Sequence, residues 1–287
     1  MKYRHSYHAG NFADVHKHVT LLALIAALQR KDKGFLYLDT HAGRGSYDLS
    51  SPTPEAAAGI GRFAQATHAA AELRAYAAAL ESVRARLKHR HLYAGSPLLA
   101  LAVLRPQDRA VLIEFEGAEV HLLEQAATAL AQALPAGPRT VRVERGDGFQ
   151  RLKAWLPPPE RRGLTLIDPP YEQTQQDFSH VTATLAEGLR RFPTGVQAAW
   201  YPIKDERTTR AWHASCAHTL AAPLLVSELW LFPRDSRVAL NGSGLIVVNP
   251  PHRILQNMHG WMPELVATLS DSADAGSSAR MLSESRP

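Results

Sequence analysis

The chain predicts an open, doubly wound α/β fold, and three observations carry that expectation. Short apolar runs recur along the sequence and stop at Gly, Asp or Pro. Helical patterns alternate with them, which is the signature of a parallel sheet covered by helices on both faces. The polar residues that could do chemistry gather where the apolar runs end, and there such sheets bind ligands.

The elements follow in order. Residues 35–38 (FLYL) run into DTHAGRG, 110–113 (AVLI) into Glu114, and 140–143 (TVRV) into ERGDGF. Residues 164–167 (LTLI) run into DPPY, and 196–200 (VQAAW) into YPIKDE. Runs of this length followed by turn residues read as buried parallel strands. Helices are expected over about 12–30, 118–134, 148–156, 174–191, 204–220 and 252–270. Two further strands, 224–232 and 244–249, flank a loop too short for a parallel crossover, so they predict an antiparallel hairpin. The sheet thus has seven strands. Residues 52–95 are Ala-rich with helical periodicity and read as a small helical insertion. The expected division is 1–51 (N-terminal segment and first strand), 52–95 (insertion), 96–270 (remaining sheet) and 271–287 (flexible tail without apolar periodicity).

Composition excludes several classes. The 287 residues are 45% apolar and 21% charged, which is ordinary for a globular chain. One cysteine, Cys216, allows neither an internal disulfide nor a Cys-based zinc cluster, and no metal site is expected. The N-terminus lacks the pattern of a secretory signal, and the longest apolar run, 19–28, is too short to span a bilayer. A cytoplasmic monomer with no stable protein partner is expected. The formal charge of +5 is compatible with a polyanionic partner.

The most informative motif is Asp168-Pro169-Pro170-Tyr171. With 19 prolines a Pro-Pro pair arises by chance about once, but the flanking acid and aromatic make this roughly a one-in-a-hundred coincidence. The chemistry it suits is methylation of an amino group. An exocyclic amine on adenine is a poor nucleophile because its lone pair is delocalised into the ring. A carboxylate (Asp168) and a rigid carbonyl (Pro169) can accept its two hydrogens and turn the lone pair toward an electrophile. Consecutive prolines fix φ and donate no N–H, which stiffens the corner. Tyr171 offers a face on which an extruded base can stack. Asn249-Pro250-Pro251-His252 resembles this motif, but reads as a helix start with Asn249 as N-cap.

Acids at neighbouring strand ends suggest a cofactor pocket. Gly43 and Gly45 would let backbone approach a ligand. Glu114 could hold two ribose hydroxyls, and Asp147 in Gly146-Asp147-Gly148-Phe149 could accept from an adenine amino group. Asp48 stands where a dinucleotide fingerprint needs Gly, which argues against NAD. The cofactor suggested is S-adenosylmethionine.

With these motifs in place, the sequence resembles the RlmJ family, bacterial 23S rRNA adenine-N6 methyltransferases. The resemblance is carried by YRHSYHAGNFADVHKH at residues 3–18, then YLDTHAGRG, GSPL, GDGFQRL, LIDPPYE and WYP in order over about 1–265. It implies a Rossmann-like class I methyltransferase fold, S-adenosyl-L-methionine as cofactor, 23S rRNA as partner and a cytoplasmic enzyme. It implies that His18, His41, Ser96, Glu114, Asp147, Gly148 and Asp168 line the cofactor pocket, with Asp168 catalytic. Tyr3 matches a substrate-contacting position, and His5 and Lys17 share its block. Residues 3–10 would fold over the target base. A DPPY-type enzyme acting on DNA adenine or a protein amide is the alternative, though no dedicated DNA-reading domain is evident. A non-enzymatic RNA-binding protein is disfavoured by the intact DPPY, glycines and Asp147. Arg84, Lys88 and His91 are expected on one helix face, either solvated or touching phosphate.

Overall fold

A computed structural model of the chain describes residues 8–172, 174–236 and 240–282. Its centre is a sheet of eight strands: β1 (Leu36–Asp39), β4 (Arg109–Glu114), β5 (Thr140–Arg145), β6 (Gly163–Ile167), β7 (Val196–Ile203), β8 (Leu224–Trp230), β9 (Gly242–Val248) and β10 (Gly276–Leu282). Across the sheet the order is β10-β8-β9-β7-β6-β1-β4-β5. Strands β5, β4, β1, β6 and β7 are parallel, whereas β9 runs antiparallel to both β7 and β8. The expected terminal hairpin is therefore present. The chain leaves β1 toward β4 on one side and returns to β6 on the other, so the topological switch point lies between β1 and β6.

Residues of β1 alternate between two cores. Tyr37 packs on the face covered by α1 (Phe12–Gln29), the insertion, α5 (Ser96–Val103), α6 (Gly117–Ala133) and α10 (Ile254–Leu269). Leu36 and Leu38 pack on the face covered by α7 (Gly148–Trp155), α8 (Thr174–Arg191) and α9 (Glu206–Thr219). Both faces of the central strands are buried, which is why their sequences are continuous apolar runs rather than alternating ones.

Three expectations need correction. Residues 271–287 are not all loose tail, because β10 pairs antiparallel with β8 in register Gly276↔Trp230 to Leu282↔Leu224. An edge strand is held by main-chain bonds and needs no alternating apolar pattern, so GSSARML gave no signal. The sheet accordingly has eight strands rather than seven. Asn249 is not a helix cap. It sits at φ +53, its side chain donates to the carbonyls of Pro193 and Gly195, and α10 begins at Ile254.

The insertion is bracketed by β2 (Ser46–Asp48) and β3 (Leu92–Ala94), a two-stranded antiparallel sheet of its own. The glycine turn after β1 thus leads into a short strand, not a helix. Between them lie α2 (Pro54–Ala56), a π-helical turn (Ala57–Gly61), α3 (Arg62–Gln65) and α4 (Ala71–Arg86). Gly59 lies where a Cβ would meet the Gly10 carbonyl oxygen at 2.3 Å, so the insertion clamps the start of α1 backbone to backbone. Because α4 ends at Arg86 and Lys88 is left-handed, Arg84, Lys88 and His91 share no helix face. Arg84 donates to Leu92 O and pairs with Glu81, staples within the insertion. Among the described residues no helix is long and apolar enough to cross a membrane.

Candidate active site

A cleft of about 990 Å³ opens at the carboxyl ends of β1, β4, β5, β6 and β7. Each strand end contributes to its wall. β1 supplies His41, Gly43 and Arg44; β4 supplies Glu114 and Phe115; β5 supplies Asp147, Gly148 and Phe149; β6 supplies Asp168, Pro169 and Pro170; β7 supplies Trp200. The first turns of α1 close one side with Asn11, Asp14 and Lys17.

Asp168 is buried and tied down. Its Oδ2 accepts from Lys17 Nζ at 2.5 Å, and Lys17 Nζ also meets Asp14 Oδ1 at 2.8 Å. Asp14 sits in the first turn of α1 below its N-cap, where Asn11 Oδ1 accepts from Asp14 N at 2.9 Å. Burial disfavours the Lys17 ammonium, but the two carboxylates outweigh it and hold its pKa above the ordinary lysine value. Lys17 is therefore a permanent counter-ion beneath the cleft. Its ammonium also lies 5.6 Å from the Trp200 ring centroid.

Trp200 faces the cleft because of sheet register. Ile167 pairs with Ala199, so the residue after β6 and the next residue of β7, Asp168 and Trp200, stand side by side. The Trp200 indole is anchored from behind: Nε1 donates to Ser243 Oγ at 2.9 Å. His16, fully buried, bridges that serine and Ser227, each at 3.0 Å. Burial drives the His16 pKa down to about 3, so it is neutral. Tyr171 does not line the cleft. Its ring is buried edge-on against Trp200 and Phe178, and its hydroxyl donates to Trp200 O at 2.6 Å. The aromatic face expected of Tyr171 is presented by Trp200 instead.

The other half of the cleft is built from backbone-fixed acids. Glu114 Oε2 accepts from Gly43 N at 2.8 Å, with Gly43 at φ +62, while its Oε1 accepts from Phe115 N at 2.8 Å and Glu116 N at 2.9 Å. Asp147 caps α7 by accepting from Phe149 N at 2.9 Å. Gly148 is obligatory, since a Cβ there would lie 1.9 Å from Thr40 O. His41 packs edge-on against Phe149, and burial lowers its pKa to about 4. Thr40 Oγ1 donates to Leu166 O and so accepts from His41 Nδ1 at 2.8 Å. Phe115 is 63% exposed at the rim, an unusual position for a large apolar ring.

Of the anticipated residues, His41, Glu114, Asp147, Gly148, Asp168, Pro169 and Lys17 converge on the cleft. Two do not. His18 is buried and its Nδ1 meets Tyr93 Oη at 2.9 Å on the insertion side. Ser96 donates to Asp39 Oδ2 at 2.7 Å, supporting the acid at the end of β1. Tyr3 and His5 lie outside the described residues. Phe115 and Trp200 were missed as cleft residues. An aromatic directly behind a strand-end acid was a usable signal for Phe115, whereas Trp200 depends on the β6–β7 pairing.

An open sheet with this strand order, and a cleft at its switch point edged by acids from successive strands, defines a class I methyltransferase architecture. A family model described as "Ribosomal RNA large subunit methyltransferase D, RlmJ" matches residues 32–281. The chain is 41% identical over 273 residues to "Ribosomal RNA large subunit methyltransferase J" of Escherichia coli K12, covering 94% of each. It is 38% identical to the protein of the same name from Haemophilus influenzae, again over 94% of each. A crystal structure of a Legionella pneumophila protein superimposes with a TM-score of 0.82 at 32% identity, covering 97% of this chain and 99% of that one. The chain belongs to the RlmJ family of ribosomal RNA large-subunit methyltransferases.

Proposed function

We propose that this enzyme transfers a methyl group from S-adenosyl-L-methionine to the N6 nitrogen of an adenine in 23S rRNA. The observation that carries the reading is the corner at Asp168: a carboxylate locked by Lys17, a rigid proline carbonyl beside it, and the Trp200 ring against the same space.

The residues present fit the cofactor. Glu114 and Asp147 are acceptors suited to ribose hydroxyls and an adenine amino group, and the exposed Phe115 ring beside them suits an adenine face. The Gly148 contact with Thr40 O removes side-chain bulk from that wall. When bound, S-adenosylmethionine supplies an electrophilic methyl carbon on a sulfonium.

The chain's own residues then do the rest. An extruded adenine stacks on Trp200. The Asp168 carboxylate and the Pro169 carbonyl accept the two N6 hydrogens, which localises the nitrogen lone pair toward the methyl. Lys17 holds Asp168 in place and keeps its charge compensated in a buried setting. Asp168 would take the proton that N6 sheds on gaining the methyl group and pass it to water, the bound cofactor supplying the methyl carbon and keeping the electron pair of the bond that is lost. Positioning and fixed charge supply the acceleration, with no covalent enzyme intermediate.

The test is transfer of tritiated methyl from the labelled cofactor to 23S rRNA, DNA and protein, followed by nucleoside analysis. N6-methyladenosine in the RNA is expected; label in DNA or in a protein amide instead would overturn the substrate assignment.

A further inference from the structure

A second concavity lies around the rim from the cleft. A recess of about 390 Å³ opens between the start of α9, the ends of β7 and β8, and β10. Its floor is Glu228, which is 1% exposed. The polar groups on that floor form a directed chain. Arginine can only donate, so Arg280 Nη2 at 3.3 Å makes His213 Nδ1 an acceptor. His213 Nε2 therefore carries the proton and donates to Tyr201 Oη at 2.8 Å, which donates in turn to Glu228 Oε1 at 3.1 Å. Glu228 Oε2 accepts from Arg280 at 3.2 Å and Arg234 at 3.4 Å. A third guanidinium, Arg210, pairs with Glu206 at 2.7 Å, and Arg234 stands 3.7 Å from the same carboxylate.

Charge in the recess does not close. Burial lowers the His213 pKa to about 4, so the ring is neutral near pH 7. Three guanidiniums thus face two carboxylates, leaving one positive charge in surplus. Each arginine has five N–H donors, and the bonds above use only some of them. Pinning β10 to β8 needs one arginine on Glu228; the second, and Arg210 beside it, are unexplained by that role. A group with one negative charge and several acceptor oxygens would complete the set, and guanidinium forks match the oxygens of a phosphodiester.

The recess is also within reach of the reaction. Ile203 on its wall and Trp200 in the cleft are three residues apart on β7, about 10 Å along the strand, with side chains on opposite faces of the sheet, so the path between the two sites runs around the carboxyl edge and is longer than that. A strand stacked as in a duplex advances roughly 3.4 Å per nucleotide, so a path of at least that length takes about three nucleotides or more. We propose that this recess binds a backbone phosphodiester of the RNA substrate, a few nucleotides from the methylated adenine. The proposal rests on the RNA reading above.

The experiment measures binding of a labelled 23S rRNA fragment by fluorescence anisotropy across salt concentrations, together with KM for that RNA. The variants are Arg210→Glu and Arg280→Gln, with Arg139→Glu as a control at an exposed position just before β5, at the far edge of the sheet. Arg210→Glu is expected to weaken RNA binding about five-fold or more and raise KM for RNA. It should also flatten the slope of log K against log salt by about 0.7–0.9 for a lost phosphate contact. Arg139→Glu should leave that slope alone. Because Arg280 also pins β10, the decision rests on Arg210→Glu, whose side chain is 77% exposed and pairs with Glu206 on its own helix. A slope and KM equal to wild type in an enzyme that methylates RNA would overturn the phosphate site alone. Absence of RNA methylation by the wild type would instead overturn the proposed function.

Discussion

Two corners of this molecule read almost alike and sit at opposite ends of the sheet. Asp168-Pro169-Pro170-Tyr171 follows β6, a parallel strand, and so emerges at the edge where the cleft lies. Asn249-Pro250-Pro251-His252 follows β9, whose antiparallel pairing Val248↔Gln197 brings it out where the parallel strands begin. There the Asn249 side chain is spent on two carbonyls. The difference teaches that a motif acquires chemistry from strand direction. The same rigid proline corner lines the cleft at one end of the sheet, where we propose that it holds a substrate amine, and is a chain clip at the other.

The sharpest test of that contrast is a pair of substitutions. Asp168→Ala is expected to lower kcat for RNA methylation by about 10²–10⁴-fold while the cofactor still binds by calorimetry. Asn249→Ala should leave turnover intact and cost about 1–3 kcal/mol of stability in thermal unfolding, from the lost bonds and the left-handed backbone. Reduced turnover of the folded Asn249 variant would erase the distinction.

Next comes Trp200. Trp200→Ala should remove about 1–3 kcal/mol of base stacking, read as a five- to 150-fold fall in kcat/KM for RNA. A larger loss in cofactor affinity than in RNA turnover would show that the ring serves the cofactor rather than the base.

The network behind the active corner predicts a pH signature. His16 titrates near 6.5 when unfolded and near 3 in the fold, so its stability contribution is present above about pH 6.5 and lost as pH falls toward 3. Asp39 acts in the opposite sense. Burial, only partly offset by bonds from Ser96 and Tyr37, lifts its pKa from 3.8 to about 6, so its contribution is full below about pH 4 and lost as pH rises through 6. The His16 shift is the larger, so melting temperature should fall as pH drops from 7 to 4. His16→Gln should fall less steeply and Asp39→Asn more steeply. Parallel curves for all three proteins would show that neither group governs the acid limb.

The smallest effect is expected at the rim. Phe115→Ala should weaken S-adenosylmethionine binding a few-fold without moving the melting temperature, because the ring is mostly exposed. Unchanged affinity would remove Phe115 from the cofactor wall.

The helices and parallel strands were legible because each must bury a continuous apolar surface, and that demand is written residue by residue in runs such as LTLI and AVLI. Strand-end acids were legible for the same reason: where burial stops, polarity begins. The strand β10 was not, because main-chain pairing at an edge asks little of side chains and the Arg280–Glu228 bond joins residues 52 apart. His18 and Ser96 resemble cleft residues by motif, yet their side chains hold Tyr93 and Asp39 instead.

What the sequence determined by itself is the alternation of buried strand and helix, the rigid Asp168 corner, and the acids Glu114 and Asp147 that share its edge, since each follows from local burial, torsion or charge. Only tertiary structure decided that Lys17 grips Asp168 across 151 positions, that Trp200 rather than Tyr171 faces the opening, and that the second proline corner points away. The physical reason is that strand order, direction and register are set by the packing of the whole sheet, and no single segment carries them.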